Sequence, residues 1–163
     1  MPQTTSQFVY REATAESIDA IRPLWEKLNF HHAQISPRFS TALRLRTFET
    51  RKHQLLAKAQ AGRLRVELVS VGSDLPSVAY CVSTVSADAV GEIDSLFVEE
   101  HLRGQGVGTE LVRRAISWLD SMNVRLKVVS VMYQNNEALS FYERFGFHPR
   151  TVMLHESHDD DAV

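Results

Sequence analysis

Cysteine occurs once in this chain, at Cys81, which excludes an intrachain disulfide and any cysteine-based metal cluster. Its place in an apolar run predicts a buried thiol rather than a nucleophile. The pair Gly-Lys occurs nowhere, so there is no Walker A loop and no basis for nucleoside triphosphate binding. No apolar run approaches the ~18 residues of a membrane span. The start Met1-Pro2-Gln3-Thr4-Thr5-Ser6-Gln7 lacks the basic and apolar regions of a secretory signal, so a cytoplasmic protein without a membrane partner is expected. Charge of one sign is not in excess: the net charge of −2 gives no electrostatic footprint for nucleic acid. Histidines stand side by side at His31 and His32, but no third ligand follows at a suitable spacing, so no metal site is expected.

Glycine is sparse, at 7 residues, yet three of the seven stand at alternate positions in Arg103-Gly104-Gln105-Gly106-Val107-Gly108. A strand-like run with Ile93, Leu96, Phe97 and Val98 precedes them, and an amphipathic helical pattern follows. Glycines in such a turn permit positive φ and let an anion approach the backbone without meeting a Cβ. The first amides of a helix lack internal partners and sit at the positive end of its dipole. Together these features predict a pyrophosphate cradle. A dinucleotide fingerprint is excluded, because the sixth position counted from Gly104 is Thr109 and from Gly106 is Leu111.

The remaining pattern predicts one domain over residues 1–155 and a flexible acidic tail over 156–163, with three consecutive aspartates. A strand is expected over Phe8 to Arg11, then a helix capped by Thr14 and bent or divided at Pro23. Asn29 to Phe39 reads as a loop carrying His31, His32 and Pro37. Ser40 then opens a second helix, with Leu43, Phe48, Leu55 and Leu56 as its apolar positions, ending at Gly62. Strands follow from Leu64 to Leu68, Val78 to Val85 and Glu92 to Val98. In the last of these the apolar positions change parity between Ile93 and Leu96, which predicts a β-bulge near Ser95. A third helix buries Leu111, Val112, Ala115, Ile116, Leu119 and Met122. Leu126 to Met132 reads as a central strand. A fourth helix is capped by Asn135 or Asn136 and stopped by Gly146, and Arg150 to Leu154 reads as a final strand.

Two motifs carry a resemblance. Arg103-x-x-Gly106-x-Gly108 is similar to the acyl-CoA loop of the GNAT superfamily of N-acetyltransferases. Val131-x-x-x-Asn135-x-x-Ala138-x-x-Phe141-Tyr142-x-x-x-Gly146-Phe147 resembles that family's second signature. The similarity extends from about Glu92 to Phe147. It implies an α/β fold with a mixed, mostly antiparallel sheet flanked by helices, in the order β-α-α-β-β-β-α-β-α-β, and splayed central strands that admit the pantetheine arm. Acetyl-CoA is the implied cofactor, with coenzyme A as co-product and direct attack by a primary amine in a ternary complex. Contacts to it are implied along Leu96, Phe97 and Val98, through Arg103, Gly104, Gln105, Gly106, Val107, Gly108 and Thr109, and at Asn135, Ala138 and Tyr142.

Acetyl transfer to an amine needs a neutral nitrogen, a polarised carbonyl and a proton for the departing thiolate. A lysine-like amine with a pKa of ~10.4 costs on the order of 4–5 kcal/mol to neutralise at pH 7, so a base helps. Glu92 matches the family's base by position, and Asp94 lies two residues on. Tyr142 is the implied general acid, and a backbone amide at Phe97 or Val98 the implied oxyanion donor. His31, His32 and Tyr80 are candidates for acceptor recognition. The leading expectation is acetylation of a small-molecule amine. Alternatives are acetylation of a protein lysine or N-terminus, or a non-catalytic acyl-CoA-binding regulatory module. Homodimers are frequent in the family, so a homodimer is a further implication.

Overall fold

The structure, a computed structural model, describes residues 8–157. β1 (Phe8–Ala13) leads through a 3₁₀ turn (Ala15–Ile21) into α1 (Arg22–Ile35). After a second 3₁₀ turn (Pro37–Phe39) come α2 (Ser40–Leu45) and α3 (Phe48–Ala61). A meander of β2 (Arg63–Val71), β3 (Ser77–Val85) and β4 (Val90–Val98) follows, then α4 (Val107–Ser121), β5 (Leu126–Val129) and α5 (Asn136–Glu143). The sheet order is β1-β2-β3-β4-β5. All neighbours are antiparallel except β4 and β5, which are parallel, as a helical crossover through α4 requires. This is the mixed, mostly antiparallel architecture expected.

Both faces of the sheet are covered. One core joins Val69, Cys81, Ile93 and Val98 to Val107, Leu111, Ala115 and Leu119 of α4 and Tyr142 of α5. The other joins Val66, Leu68, Tyr80, Val82 and Phe97 to Ile18 and Ile21, to Trp25 of α1, and to Phe48 and Leu55 of α3. Full burial of each such side chain stabilises the fold by about 1.5–3 kcal/mol. Cys81 is an interior thiol, and burial pushes its pKa up to about 12.

Several boundaries differ from the sequence reading, each for an identifiable reason. Pro23 does divide the first helical segment, standing in the first turn of α1 where its missing N–H costs nothing. The loop expected over Asn29 to Phe39 is helical as far as Ile35, so His31 and His32 lie on α1. Asn29 occupies a buried position of that helix, and its Nδ2 donates to Leu43 O at 2.7 Å, which compensates the polar group there. The second helix is two helices. Thr47, in extended conformation, accepts from Thr50 N at 3.2 Å and starts α3 afresh.

β5 is shorter than the expected Leu126 to Met132 and is an edge strand, not a central one. Arg150 to Leu154 forms no strand: the segment pairs with no strand among the described residues, and Val152, Met153 and Leu154 stand exposed. Of the expected acidic tail, only Glu156 and Ser157 fall within the described residues.

The bulge in β4 is present. Val82 pairs with Ser95 but Ser83 with Ile93, so Asp94 has no opposite number on β3. The extra residue exchanges the two faces of the strand. Ile93 lies in the α4-side core, whereas Phe97 lies in the α1–α3-side core and Ser95 bonds Tyr80 there.

Candidate active site

Strands β4 and β5 part company early. They pair at Val90↔Leu126, Gly91↔Lys127, Glu92↔Val128 and Ile93↔Val129, after which β4 runs on to Val98 alone on that side. The splay is therefore real, and it leaves backbone groups free. Glu99 N–H donates back to Val78 O on β3 at 2.9 Å. Because successive amides of a strand alternate sides, those of Leu96 and Val98 turn toward the gap left by β5, while that of Phe97 turns toward β3. Of the two amides considered for polarising a carbonyl, Val98 is the one with the right direction.

Beyond Val98 the chain makes a 3₁₀ turn (Glu100–Leu102) and enters the glycine run. Gly104 and Gly106 have φ of +76° and +85°, conformations in which a side chain would be strained. Gly106 caps α4. Among the described residues, Arg103 N–H bonds Glu100 O and Glu110 N–H bonds Gly106 O, but no amide from Gly104 to Thr109 finds a protein acceptor. These amides, at the positive end of a helix of 15 residues, form a ready anion cradle. No protein atom lies within 4 Å of where a Cβ would stand at Gly104 or Gly106, so the cradle is open. A pyrophosphate fits such a site.

Gly108 serves a different purpose. A Cβ there would meet Phe141 Cζ at 3.4 Å and Val98 Cγ2 at 3.7 Å, so this glycine seats the start of α4 on α5 and on the end of β4. The contrast predicts distinct outcomes for two alanine variants. Gly106→Ala is expected to cost ~1–2 kcal/mol of stability and to weaken coenzyme A binding. Gly108→Ala, a helical position with tolerable contacts, should leave the melting temperature unchanged or slightly raised. Calorimetry with and without coenzyme A checks both, and equal losses would contradict the distinction.

Side chains around the cradle are folded back onto the protein. Arg103 Nε donates to Val98 O at 3.1 Å and its guanidinium lies over the Phe97 ring at 5.6 Å, while Gln105 Nε2 donates to His101 O at 3.2 Å. Val107 is buried and Thr109 half-buried in the first turn of α4. Asn135, rather than Asn136, caps α5 by accepting from Ala138 N at 3.1 Å. Past the end of that helix Gly146 takes φ of +84°, the left-handed stop expected there.

Tyr142 is buried on the α4 side of the sheet, edge-on to Phe141 at 5.1 Å and Phe147 at 6.0 Å. Burial raises its phenol pKa above the usual value of 10, with Cys81 and Tyr80 adding to the effect. Its hydroxyl has no hydrogen-bond partner among the described residues. Glu92 and Asp94 lie on the opposite face, toward α3. Lys58 Nζ donates to Glu92 Oε2 at 2.7 Å and also to Asp94, which in addition binds Arg51. Burial works to raise the Asp94 pKa, but the charges and hydrogen bonds of Arg51 and Lys58 outweigh it and hold the carboxyl below its usual range. For Lys58, burial opposes its charge and the two carboxylates more than restore it.

Tyr80 is fully buried and its hydroxyl is spent on Ser95 Oγ at 2.5 Å, so it lines no cleft. His31 and His32 lie near the end of α1 with their rings 6.3 Å apart. Burial, His31 and Arg46 depress the His32 pKa to about 4. The unfolded chain, at ~6.5, then takes up its proton first, so His32 contributes stability that is complete above pH 6.5 and is lost as pH falls toward 4. The melting temperature is expected to fall across that window, and less steeply in His32→Gln; identical profiles would contradict the assignment.

Sequence reasoning missed Arg51 and Lys58. The signal was available in the spacing of Arg51, Leu55 and Lys58, which lie on one face of α3 with a core leucine between two cations.

A splayed parallel pair, a bulge on its inner strand and an open amide cradle at the following helix define the acetyltransferase class. The model of the acetyltransferase (GNAT) family matches residues 41–147, and the chain belongs to that family, whose members take acetyl-CoA as acetyl donor. An uncharacterized N-acetyltransferase of Methanocaldococcus jannaschii is 33% identical over 72 residues, covering 44% of this chain and 32% of its own length. The peptidyl-lysine N-acetyltransferase YjaB of Salmonella typhimurium is 32% identical over 104 residues, 58% of this chain and 66% of that protein. The matched regions thus span about a third and just under two thirds of these relatives. Aminoglycoside N-acetyltransferase AAC(6′)-Iy, solved in complex with CoA, superposes with a TM-score of 0.62 at 14% identity, covering 92% of this chain and 99% of that one. At that identity the likeness concerns the fold. No helix among the described residues is long and apolar enough to cross a membrane.

Proposed function

We propose that this protein is an acetyl-CoA-dependent N-acetyltransferase acting on a primary amine of a small molecule by direct attack. The observation that carries the reading is the run of unpartnered amides from Gly104 to Thr109 beside a strand whose Leu96 and Val98 amides face the gap left by β5. Bound acetyl-CoA supplies an activated acyl carbon on a thioester. The cradle amides hold its diphosphate, with Asn135, Ala138 and the exposed edge of Leu96 to Val98 along the arm. Val98 N–H donates to the carbonyl oxygen as negative charge gathers there.

Glu92 takes the proton of the incoming ammonium, directly or through water. Asp94, clamped by two cations, is the poorer base. Tyr142 reaches the same gap from the other face of the sheet and holds its hydroxyl proton against the departing sulfur as the carbon–sulfur bond breaks and the carbon–nitrogen bond forms; the second proton shed by the nitrogen ends on the thiol, so the phenol is left protonated. Acceptor recognition is assigned to the end of α1, at His31 and His32. The resemblance to YjaB favours a second reading, in which the acceptor is a peptidyl lysine. Thiol release from acetyl-CoA across a panel of amines, amino sugars and lysine peptides tests both. Amine-dependent release supports the transferase, peptide-only release selects the second reading, and saturable coenzyme A binding with no turnover on any acceptor would leave a regulatory acyl-CoA-binding module.

A further inference from the structure

Asp94 is unpaired in both of its ladders. It is skipped in the register with β3, and the pairing with β5 ends one residue earlier, at Ile93. A strand residue in that position has a main-chain carbonyl without a sheet partner and a direction that the sheet does not set. One side chain does both jobs. From α3, 43 residues away in sequence, Arg51 donates through Nη2 to Asp94 O at 3.3 Å and to the Asp94 carboxylate. Arg51 is mostly buried and Asp94 almost wholly so, at 12% and 3% side-chain exposure. Lys58 and Thr84 complete the shell around the carboxylate, Thr84 Oγ1 at 3.5 Å. The Arg51 Nε–H is buried without an acceptor, a cost that simple packing at this position would not require.

We propose that Arg51 is a positioning residue for acyl transfer: by gripping both the main chain and the side chain of the bulge residue, it sets the angle at which the Leu96 and Val98 amides face the acyl carbonyl. This rests on the transferase reading above. Donor geometry matters as much as the charge, because both bonds leave Nη2, whose two hydrogens are held in the guanidinium plane and aim at the carbonyl and the carboxylate together, whereas an ammonium rotates freely and binds as a point. The cradle at Gly104 to Thr109 is built by other residues, so Arg51 governs the chemical step rather than cofactor affinity.

The test uses the full chain with acetyl-CoA and an amine it accepts. Arg51→Gln is expected to lower kcat by ~10–100-fold, the scale of a misplaced reacting group, with the KM for acetyl-CoA within about threefold of wild type on the same reasoning. Amide hydrogen exchange over residues 94–98 should accelerate, and millimolar guanidinium should restore part of the rate to Arg51→Ala. Arg51→Lys keeps the charge on a shorter stem without the planar, fixed donors; it should fall between wild type and Arg51→Gln, and it decides the matter by the same criteria where Arg51→Gln does not fold. A kcat within twofold of wild type overturns the proposal, as does a loss confined to the KM of the acceptor, which would make Arg51 a binding residue. A wild-type chain silent with every amine removes the transferase reading itself; an active wild type with an unaffected Arg51→Gln removes only the clamp.

Discussion

Replacing Tyr142 with phenylalanine is expected to reduce kcat by about 100-fold while leaving the protein folded. The two effects separate because they draw on different parts of the side chain. The ring is packed edge-on against Phe141 and Phe147 in the α4-side core, and phenylalanine keeps those contacts. The hydroxyl has no protein partner among the described residues, so its removal strands no buried donor or acceptor and the melting temperature should move little. What is lost is a proton donor that burial keeps un-ionised at neutral pH. A phenol raised in this way yields its proton to a thiolate only against the gradient. The contribution proposed for it is therefore a hydrogen bond that strengthens as charge develops on sulfur, and its loss lowers kcat rather than cofactor binding. Steady-state kinetics with acetyl-CoA and an accepted amine check this. An unchanged kcat would mean that Tyr142 only packs, and that the departing thiolate takes its proton from water.

Gly62→Ala is expected to destabilise the fold by ~3 kcal/mol or more, a large part of the roughly 5–15 kcal/mol that holds a domain together. This glycine links α3 to β2, and a Cβ there would lie 1.9 Å from Val85 O and 3.0 Å from Val85 C. Those atoms are main chain at the β2–β3 ladder, where Arg63 pairs with Val85, so relief requires shifting the start of the pairing itself. By contrast, Gly72 needs its glycine for a φ of +94° but would meet only Leu75 Cδ1 at 3.7 Å, so Gly72→Ala should cost ~1–2 kcal/mol. Thermal melts of the two variants compare close approach with backbone strain. At a few degrees per kcal/mol for a chain of this size, the Gly62 variant should melt roughly 6–12 °C below wild type. A midpoint within about 2 °C would show that the ladder yields easily.

Much of the candidate site was legible in the amino-acid sequence because its chemistry is local. Gly104 and Gly106 need only their own φ angles to expose amides, and the helix that polarises those amides begins at the next residue. The bulge was visible for a related reason. Side chains of a strand alternate strictly, so the change of parity between Ile93 and Leu96 had to be absorbed by one extra residue, and Asp94 is that residue. The cap at Asn135 and the stop at Gly146 likewise act within a few bonds of where they stand.

What escaped the reading depends on partners far along the chain. Asn29 reads as the start of a loop, but it is buried on α1 with its Nδ2 bonded to Leu43 O, a partner that only the packing of α2 supplies. Glu92 came first as candidate base and Asp94 second by motif position alone; what the sequence did not show is that α3 brings Lys58 to both and Arg51 to Asp94 alone. Arg150 to Leu154 has a strand's composition and no strand's structure, because composition makes no ladder until a partner is met, and this segment pairs with none among the described residues. Backbone angles, caps and face periodicity are properties of short segments and are determined by the sequence itself. Which charges meet, where two strands part and which glycine lies against a distant carbonyl were decided only when the layers packed, since those energies belong to pairs of segments.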